Sequence, residues 1–188
     1  MTNKVKYGLK NVHVWPITDA TSTATTYGEV LKIPGAVELS LDAEGDSNLF
    51  YADDVIYWSQ FSNNGYSGDL ELALLPEEFE VQILGYTKDK NGAIVETKEA
   101  KGKAYALAFE FDGDKTQTRH IFYNCTSSRP SVAGKTTEDK IEPQTDKISI
   151  VAAPALDTGA IKARIEKGMT GYDEFFTKPY KIEAGAQA

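Results

Sequence analysis

The chain has 188 residues, 41% of them hydrophobic and 26% charged, and its 20 Lys and Arg against 28 Asp and Glu give a formal charge of −8. That length suits one full core, a single domain over 1–188, while the acidity argues against a surface that grips nucleic acid through phosphates. No run of about 18 apolar residues exists, which excludes a membrane-spanning helix. The lone Cys125 excludes an internal disulfide and suits a reducing compartment, and Met1–Lys6 leads into no signal-like apolar run, so export by the usual route is not expected.

Tyr7–Trp15 reads as a short strand with Val12 and Val14 on one face and His13 and Trp15 on the other, ended by Pro16. Ser22–Thr26 lacks periodicity and reads as an exposed loop. After Ile33-Pro34-Gly35, the run 36–42 alternates strictly: Val37, Leu39 and Leu41 face one way and Glu38, Ser40 and Asp42 the other. Residues 68–74 repeat the pattern, with Leu70, Leu72 and Leu74 opposite Asp69, Glu71 and Ala73. Both strands therefore carry an acidic outer face. Between them, Glu44–Gly68 is expected to be a long loop. Its Leu49, Phe50, Tyr51, Val55, Ile56, Tyr57, Trp58, Phe61 and Tyr66 are more large apolar groups than a solvated loop holds, and disordered segments are depleted in such residues. The loop either folds back on its own domain or is buried against a partner, and the partner is favoured.

Pro76 opens the one clear helix, with Glu77 and Glu78 in its first turn, Phe79 and Ile83 four apart on one face, and Gly85 as its stop. Asp89-Lys90-Asn91-Gly92 reads as a primed hairpin turn between strands at 82–87 and 93–97. A second hairpin joins 104–111, with Tyr105, Leu107, Phe109 and Phe111 on one face, through Asp112–Lys115 to 119–124. Short strands are expected at 136–142 and 147–152. Residues 160–166 alternate as a strand, although a helix is also compatible, and 172–176 suggest one helical turn before Pro179. The whole predicts a mainly β fold, an all-β sandwich or barrel with one helix on its flank.

An enzyme needs a cluster of titratable or nucleophilic groups, and none is visible. His13 and His120 are the only histidines. His120 and Cys125, five apart in a strand, should lie on opposite faces and so not share a metal. Asp53 and Asp54 could hold a hard cation or simply be solvated. Asn124-Cys125-Thr126 matches a glycosylation acceptor by chance. Asn63–Ser67 and Gly68 form either a hinge or a wide turn. Neither cofactor nor metal is expected.

Several words occur in order along the chain: Tyr7-Gly8-Leu9-Lys10-Asn11-Val12, Pro34-Gly35-Ala36-Val37, Tyr51-Ala52-Asp53-Asp54, Asn64-Gly65-Tyr66-Ser67-Gly68-Asp69-Leu70-Glu71, Ile83-Leu84-Gly85 and Arg129-Pro130. In order and spacing they resemble the major tail protein of long-tailed phages (siphoviruses) infecting Gram-positive bacteria, nearly end to end. The resemblance implies a β-sandwich or barrel tail-tube fold with one flanking helix and a long loop between its second and third strands. It also implies a structural virion protein whose hexameric rings stack into a hollow tail tube, the conduit for the genome. Its partners would be further copies of itself, the tape measure protein, the tail terminator and the distal tail protein. Double-stranded DNA would pass through without specific binding, and no membrane is involved. The protein would sit in the virion tail after assembly in the host cytoplasm. Carried onto this chain, Glu38, Asp42, Asp69 and Glu71 would face the lumen, and Phe50, Tyr51, Asp53, Asp54, Tyr57, Trp58, Asn64, Gly65 and Tyr66 would belong to the loop that reaches the next ring. Some relatives carry an extra C-terminal immunoglobulin-like domain, which is not expected after Ala188. The rival expectation is a carbohydrate-binding or adhesion β-sandwich in which Tyr57, Trp58 and Tyr66 stack on sugars.

Overall fold

A computed structural model describes Val5, 7–134, Thr136 and 143–183. It is mainly β, built on one large antiparallel sheet with one short helical segment. The strands are β1 (Leu9–Ala20), β2 (Thr25–Tyr27), β3 (Leu31–Ile33), β4 (Ala36–Glu44), β5 (Ser47–Ala52), β6 (Val55–Phe61), β7 (Gly65–Leu72), β8 (Thr87–Lys88), β9 (Ile94–Val95), β10 (Tyr105–Phe111), β11 (Arg119–Ser127), β12 (Asp146–Ala153) and β13 (Lys162–Ile165). In the main sheet they run β2-β1-β10-β11-β12-β7-β4, with β3 added beside β1 and β13 beside β11. β5–β6 and β8–β9 form separate two-stranded ribbons. Among the described residues no helix is long and apolar enough to cross a membrane.

Val12 and Val14 of β1, Leu70 and Leu72 of β7, Tyr105 and Leu107 of β10, and Ile148 and Ile150 of β12 all bury in one core. Strands from both ends of the sheet thus share an interior, so the sheet must curl around it. The helical segment plugs this core. Glu77–Phe79 is one α-helical turn that runs directly into a π-helical turn, Glu80–Leu84, and Phe79 and Ile83 are 1% and 0% exposed. Gly85 ends the segment in the left-handed conformation (φ +78°), where an added Cβ would lie 2.5 Å from the Lys101 carbonyl oxygen.

A second core lies on the other side of β1, β10 and β11: Trp15, Ala106, Ala108, Ile121, Tyr123 and Ile165, covered by Tyr172 and Phe175. The C-terminal stretch 172–180 is a series of turns rather than a helix. It is held by Arg119, whose side chain pairs with Glu110 at 3.1 Å, donates to the Tyr172 carbonyl, and lies 3.8 Å from the Tyr172 ring centroid. The buried Glu110 also accepts from Asn11 Nδ2 at 2.6 Å, so both its oxygens are used.

Several expectations change. β1 runs through Pro16 because Trp15 and Ile17, not Pro16, turn their N–H groups toward the β10 side; Ile17 donates to the Ala104 carbonyl at 2.8 Å, whereas the Pro16 carbonyl faces away and accepts from Gly28 at 2.7 Å. The loop expected over 22–26 contains β2. In β4 the strict alternation fails at a bulge: Ala36 pairs with Leu72 and Glu38 with Glu71, leaving Val37 as the extra residue, 53% exposed. β7 starts at Gly65 and ends at Leu72, so Leu74 is exposed, and Leu75 is the buried one, its N–H donating to Asp146 Oδ2 at 2.8 Å. The 89–92 turn carries positive φ at Gly92 but not at Asn91 and is braced by Asp89 Oδ1, which accepts from Asn91 and Ala93, so it is not a primed two-residue turn. Its flanking strands shrink to two residues each. The alternation over 160–166 does give a strand, Lys162–Ile165. The strand expected over 136–142 lies, Thr136 apart, outside the described residues.

Replacing Phe79 with Ala should cost about 3–5 kcal/mol of unfolding free energy, whereas Val37→Ala should stay within about 0.5 kcal/mol. Urea denaturation of both variants checks the bulge, since a Val37 that packed the core would lose far more.

Candidate functional site

The segment expected as a loop between the alternating strands at 36–42 and 68–74 contains a β-hairpin. β5 and β6 pair from Ser47↔Phe61 to Ala52↔Val55, and the two turn residues, Asp53 and Asp54, have φ of +50° and +59°. That is a primed turn, whose twist matches paired strands, and Asp tolerates the left-handed region better than most residues. The β-branched and aromatic residues that made the stretch look wrong for a loop are those a strand prefers. Its ladder continues that of β4 and β7: Glu44 pairs with Gly65, Asn64 N–H donates to the Glu44 carbonyl at 2.9 Å, and Ser62 N–H to the Asp46 carbonyl at 2.9 Å. The arm is therefore an extension of the β4–β7 pair beyond the sheet.

Neither core takes any of its side chains. Phe50, Tyr51, Tyr57, Trp58 and Phe61 are 57, 60, 73, 49 and 77% exposed, and Leu49, Val55 and Ile56 are exposed too. A bulge at Tyr57 brings its ring edge-on to Phe50, with centroids 6.5 Å apart. A two-stranded ribbon is marginal in water without a third strand or a packed face, and eight large apolar side chains left exposed on one is more than a monomer surface usually carries. The remaining expected loop residues sit elsewhere. Asn64 closes the arm's base, Gly65 is buried in β7 at φ +117°, where a Cβ would fall 2.1 Å from the Ala152 carbonyl oxygen, and Tyr66 packs edge-on to Phe122 at 5.3 Å. Tyr66 therefore shares no ring platform with Tyr57 and Trp58.

Glu38, Asp42, Asp69 and Glu71 occupy one face of the adjacent strands β4 and β7, as the alternation predicts. Register sets them in rows across three strands: Glu38–Glu71–Lys147, Ser40–Asp69–Ser149 and Asp42–Ser67–Val151. Glu38 directly opposite Glu71 is a repulsive pair, and Lys147 at the end of that row offsets it. The Lys147 ammonium lies 2.9 Å from Asp69 Oδ2, and Ser149 donates to Asp69 Oδ1 at 2.8 Å. The hydrogen bond from Lys147, then that from Ser149, holds the Asp69 carboxyl below its ordinary value of 3.8. The Glu71 carboxylate accepts from Thr145 and the Glu44 carboxylate from Ser67. Sequence reasoning missed Lys147. The alternation of Ile148, Ile150 and Ala152 puts Lys147 on an outer face, but only the β12–β7 pairing says which one.

The two histidines and the cysteine sit within the packing. His13 is buried on the outer core side, stacked on Phe176 at 4.7 Å, and burial lowers its pKa. His120 stacks on Phe109 at 5.3 Å on the opposite side of the sheet. Contrary to expectation, Cys125 shares the side of His120: a bulge in β11 between the Phe122↔Leu107 and Cys125↔Tyr105 pairs turns it inward. It is fully buried, and burial pushes its thiol pKa up. Asn124 donates to the Pro154 carbonyl at 3.0 Å. Among the described residues no group of three or more His, Cys, Asp or Glu is placed to hold a metal ion.

The chain has two tryptophans; Trp15 is 1% exposed and Trp58 lies on the arm. Iodide should therefore quench only the Trp58 emission of the free chain, and Trp58→Phe should leave a blue-shifted spectrum that iodide does not touch. At Asp69, a folded pKa below the ordinary one gives stability that is present above pH 3.8 and is lost as pH falls below it. Asp69→Asn should accordingly be less stable than the parent at neutral pH, with the gap closing on acidification; denaturation curves at pH 7 and pH 3 decide this. No protein-family model matches the chain, and no curated protein sequence does.

Proposed function

We propose that this protein is a tail-tube subunit of a long-tailed phage, a structural protein that assembles with copies of itself into stacked hexameric rings. The observation that carries the proposal is that one pair of neighbouring strands, β4 and β7, bears both an acid-rich exposed face and an apolar arm that its own fold leaves unburied. The resemblance drawn from the ordered words of the sequence accounts for both. The arm reaches the neighbouring ring, and the face that carries Glu38, Asp42, Asp69 and Glu71 lines the channel.

Each part then has a physical task. Aromatic anchors concentrated at an interface commonly supply most of its energy, and Phe50, Tyr57 and Trp58 are the anchors available. Sixfold repetition of the acid face puts like charge around a channel through which another polyanion moves. Basic residues there would release counterions and hold the duplex, whereas acids, screened over about 8 Å at physiological salt, keep it off the wall. Tape measure, terminator and distal tail proteins would meet the tube at its lumen and two ends.

Negative-stain microscopy of the concentrated protein should show rings or hollow filaments, and Trp58→Ala should abolish them while leaving the unfolding transition in place. A chain that stays monomeric at high concentration, or that stacks sugars on Tyr57 and Trp58 without forming particles, would overturn the proposal in favour of a carbohydrate-binding module. In assembled tails, Glu38→Lys combined with Glu71→Lys should slow genome ejection, most at low salt; an unchanged rate would remove these acids from the channel wall.

A further inference from the structure

β11 divides its partners: Asn124–Ser127 pair with β12, while Arg119–Phe122 pair with β13. The sheet splits there, and a groove of about 460 Å³ opens between β13 and the β4–β7 wall. Its lining is largely apolar, with Leu39 and Leu41 on the β4 wall and Phe109 and Phe122 on the floor beside His120. Two exposed cations, Lys162 and Arg164, stand at its rim on β13. The Lys162 ammonium is held over the Tyr66 ring, 4.2 Å from its centroid, and donates to the Tyr66 hydroxyl. Among the described residues Arg164 has no carboxylate within ion-pair distance.

The arm carries the complementary chemistry. Between Ser47 and Phe61 its only charged residues are Asp53 and Asp54, side by side at the tip, behind which stand Phe50, Tyr57 and Trp58. Among the described residues neither tip carboxylate has a cationic partner. An apolar strip ending in two negative charges thus has its counterpart, elsewhere on the same chain, in an apolar floor edged by two positive ones. In a protein of net charge −8, such a cationic rim runs against the general repulsion between copies. The chain's own arm cannot fill its own groove. It prolongs β4 and β7, which form the groove wall, and six strand residues carry its tip about 20 Å beyond them.

We infer that the groove between β13 and the β4–β7 wall receives the β5–β6 arm of a second copy of this chain, with Asp53 and Asp54 seated against Lys162 and Arg164 and the aromatic strip on the apolar floor. Two interfaces per chain, an arm given and a groove filled, make a head-to-tail contact, which builds rings or filaments rather than closed dimers. The inference rests on the self-assembly reading, but not on sixfold symmetry or on a channel.

Four proteins test it by light scattering and microscopy over a concentration series: the parent, Lys162→Glu with Arg164→Glu, Asp53→Asn with Asp54→Gly, and the combination of all four changes. Asn-Gly preserves the primed turn of the tip while removing its charge, and both rim positions are exposed on an edge strand, so the folds should persist. The rim reversal should raise the concentration needed for assembly at least about tenfold, because it sets four carboxylates together. Neutralising the tip should weaken assembly less in the parent and should partly rescue it in the rim-reversed background. If the parent assembles and the rim-reversed protein assembles equally well, or if the two losses simply add, the arm docks elsewhere and the groove assignment falls while self-assembly stands. If the parent never assembles, the self-assembly reading falls and takes the groove with it.

Discussion

The fold depends on burying both sides of β10. Tyr105, Leu107 and Phe109 face the inner core, Ala106 and Ala108 face the outer one, and even Glu110 is 8% exposed. A strand buried on two sides needs two covers. The curl of the sheet and the helical plug Phe79–Leu84 supply one, and the C-terminal turns supply the other. Glu110 is admitted only because Arg119 and Asn11 occupy its carboxylate, and the same Arg119 reaches out to hold Tyr172 and so fastens the outer cover to the sheet. An unpaired charge at that depth would cost several kcal/mol. The ion pair is thus less a source of stability than a condition for closing the second core.

That double burial also explains what the molecule leaves out. With both sides of the central strands covered by the chain itself, the arm is not needed by either core, and its eight large apolar side chains stay in solvent. Among the described residues nothing covers that surface, and on the self-assembly reading proposed above a neighbouring copy does so. The β4–β7 pair ties this to the acid face, because the two strands that carry the charged ladder on one surface lead, across the short links 45–46 and 62–64, into the arm.

Much of this is legible from period alone. The acid face is visible because a side-chain repeat of two assigns Glu38, Asp42, Asp69 and Glu71 to one surface before any partner is known, and Pro76 and Gly85 mark the helix. Alternation fails where a single residue shifts phase. The bulges at Val37 and before Cys125 each insert one residue and reverse the side taken by the residues next to them, a change no repeat of two can show. The arm shows itself through its aromatics but reads as a loop, since Asp-Asp is a weaker hairpin signal than Asn-Gly and nothing local distinguishes an exposed apolar ribbon from a buried one. Lys147 and the β13 groove stay hidden for a different reason: both exist only through pairing between strands far apart in sequence.

That separation also governs the order in which the chain can fold. The Lys10–Asp112 ion pair at the end of the β1–β10 ladder joins residues 102 apart, so the middle of the sheet cannot form until well over half the chain has been synthesised. Long-range pairing of this kind costs loop-closure entropy before any contact offsets it, and it folds slowly. The arm, encoded between β4 and β7, emerges from the ribosome well before β10. It is thus a local hairpin whose strands meet within microseconds but are only marginally held together, presented on a nascent chain whose body does not yet exist. Edge strands with apolar side chains in that setting are sites of premature association, and the two adjacent aspartates at the tip are the only charges along the arm that oppose it.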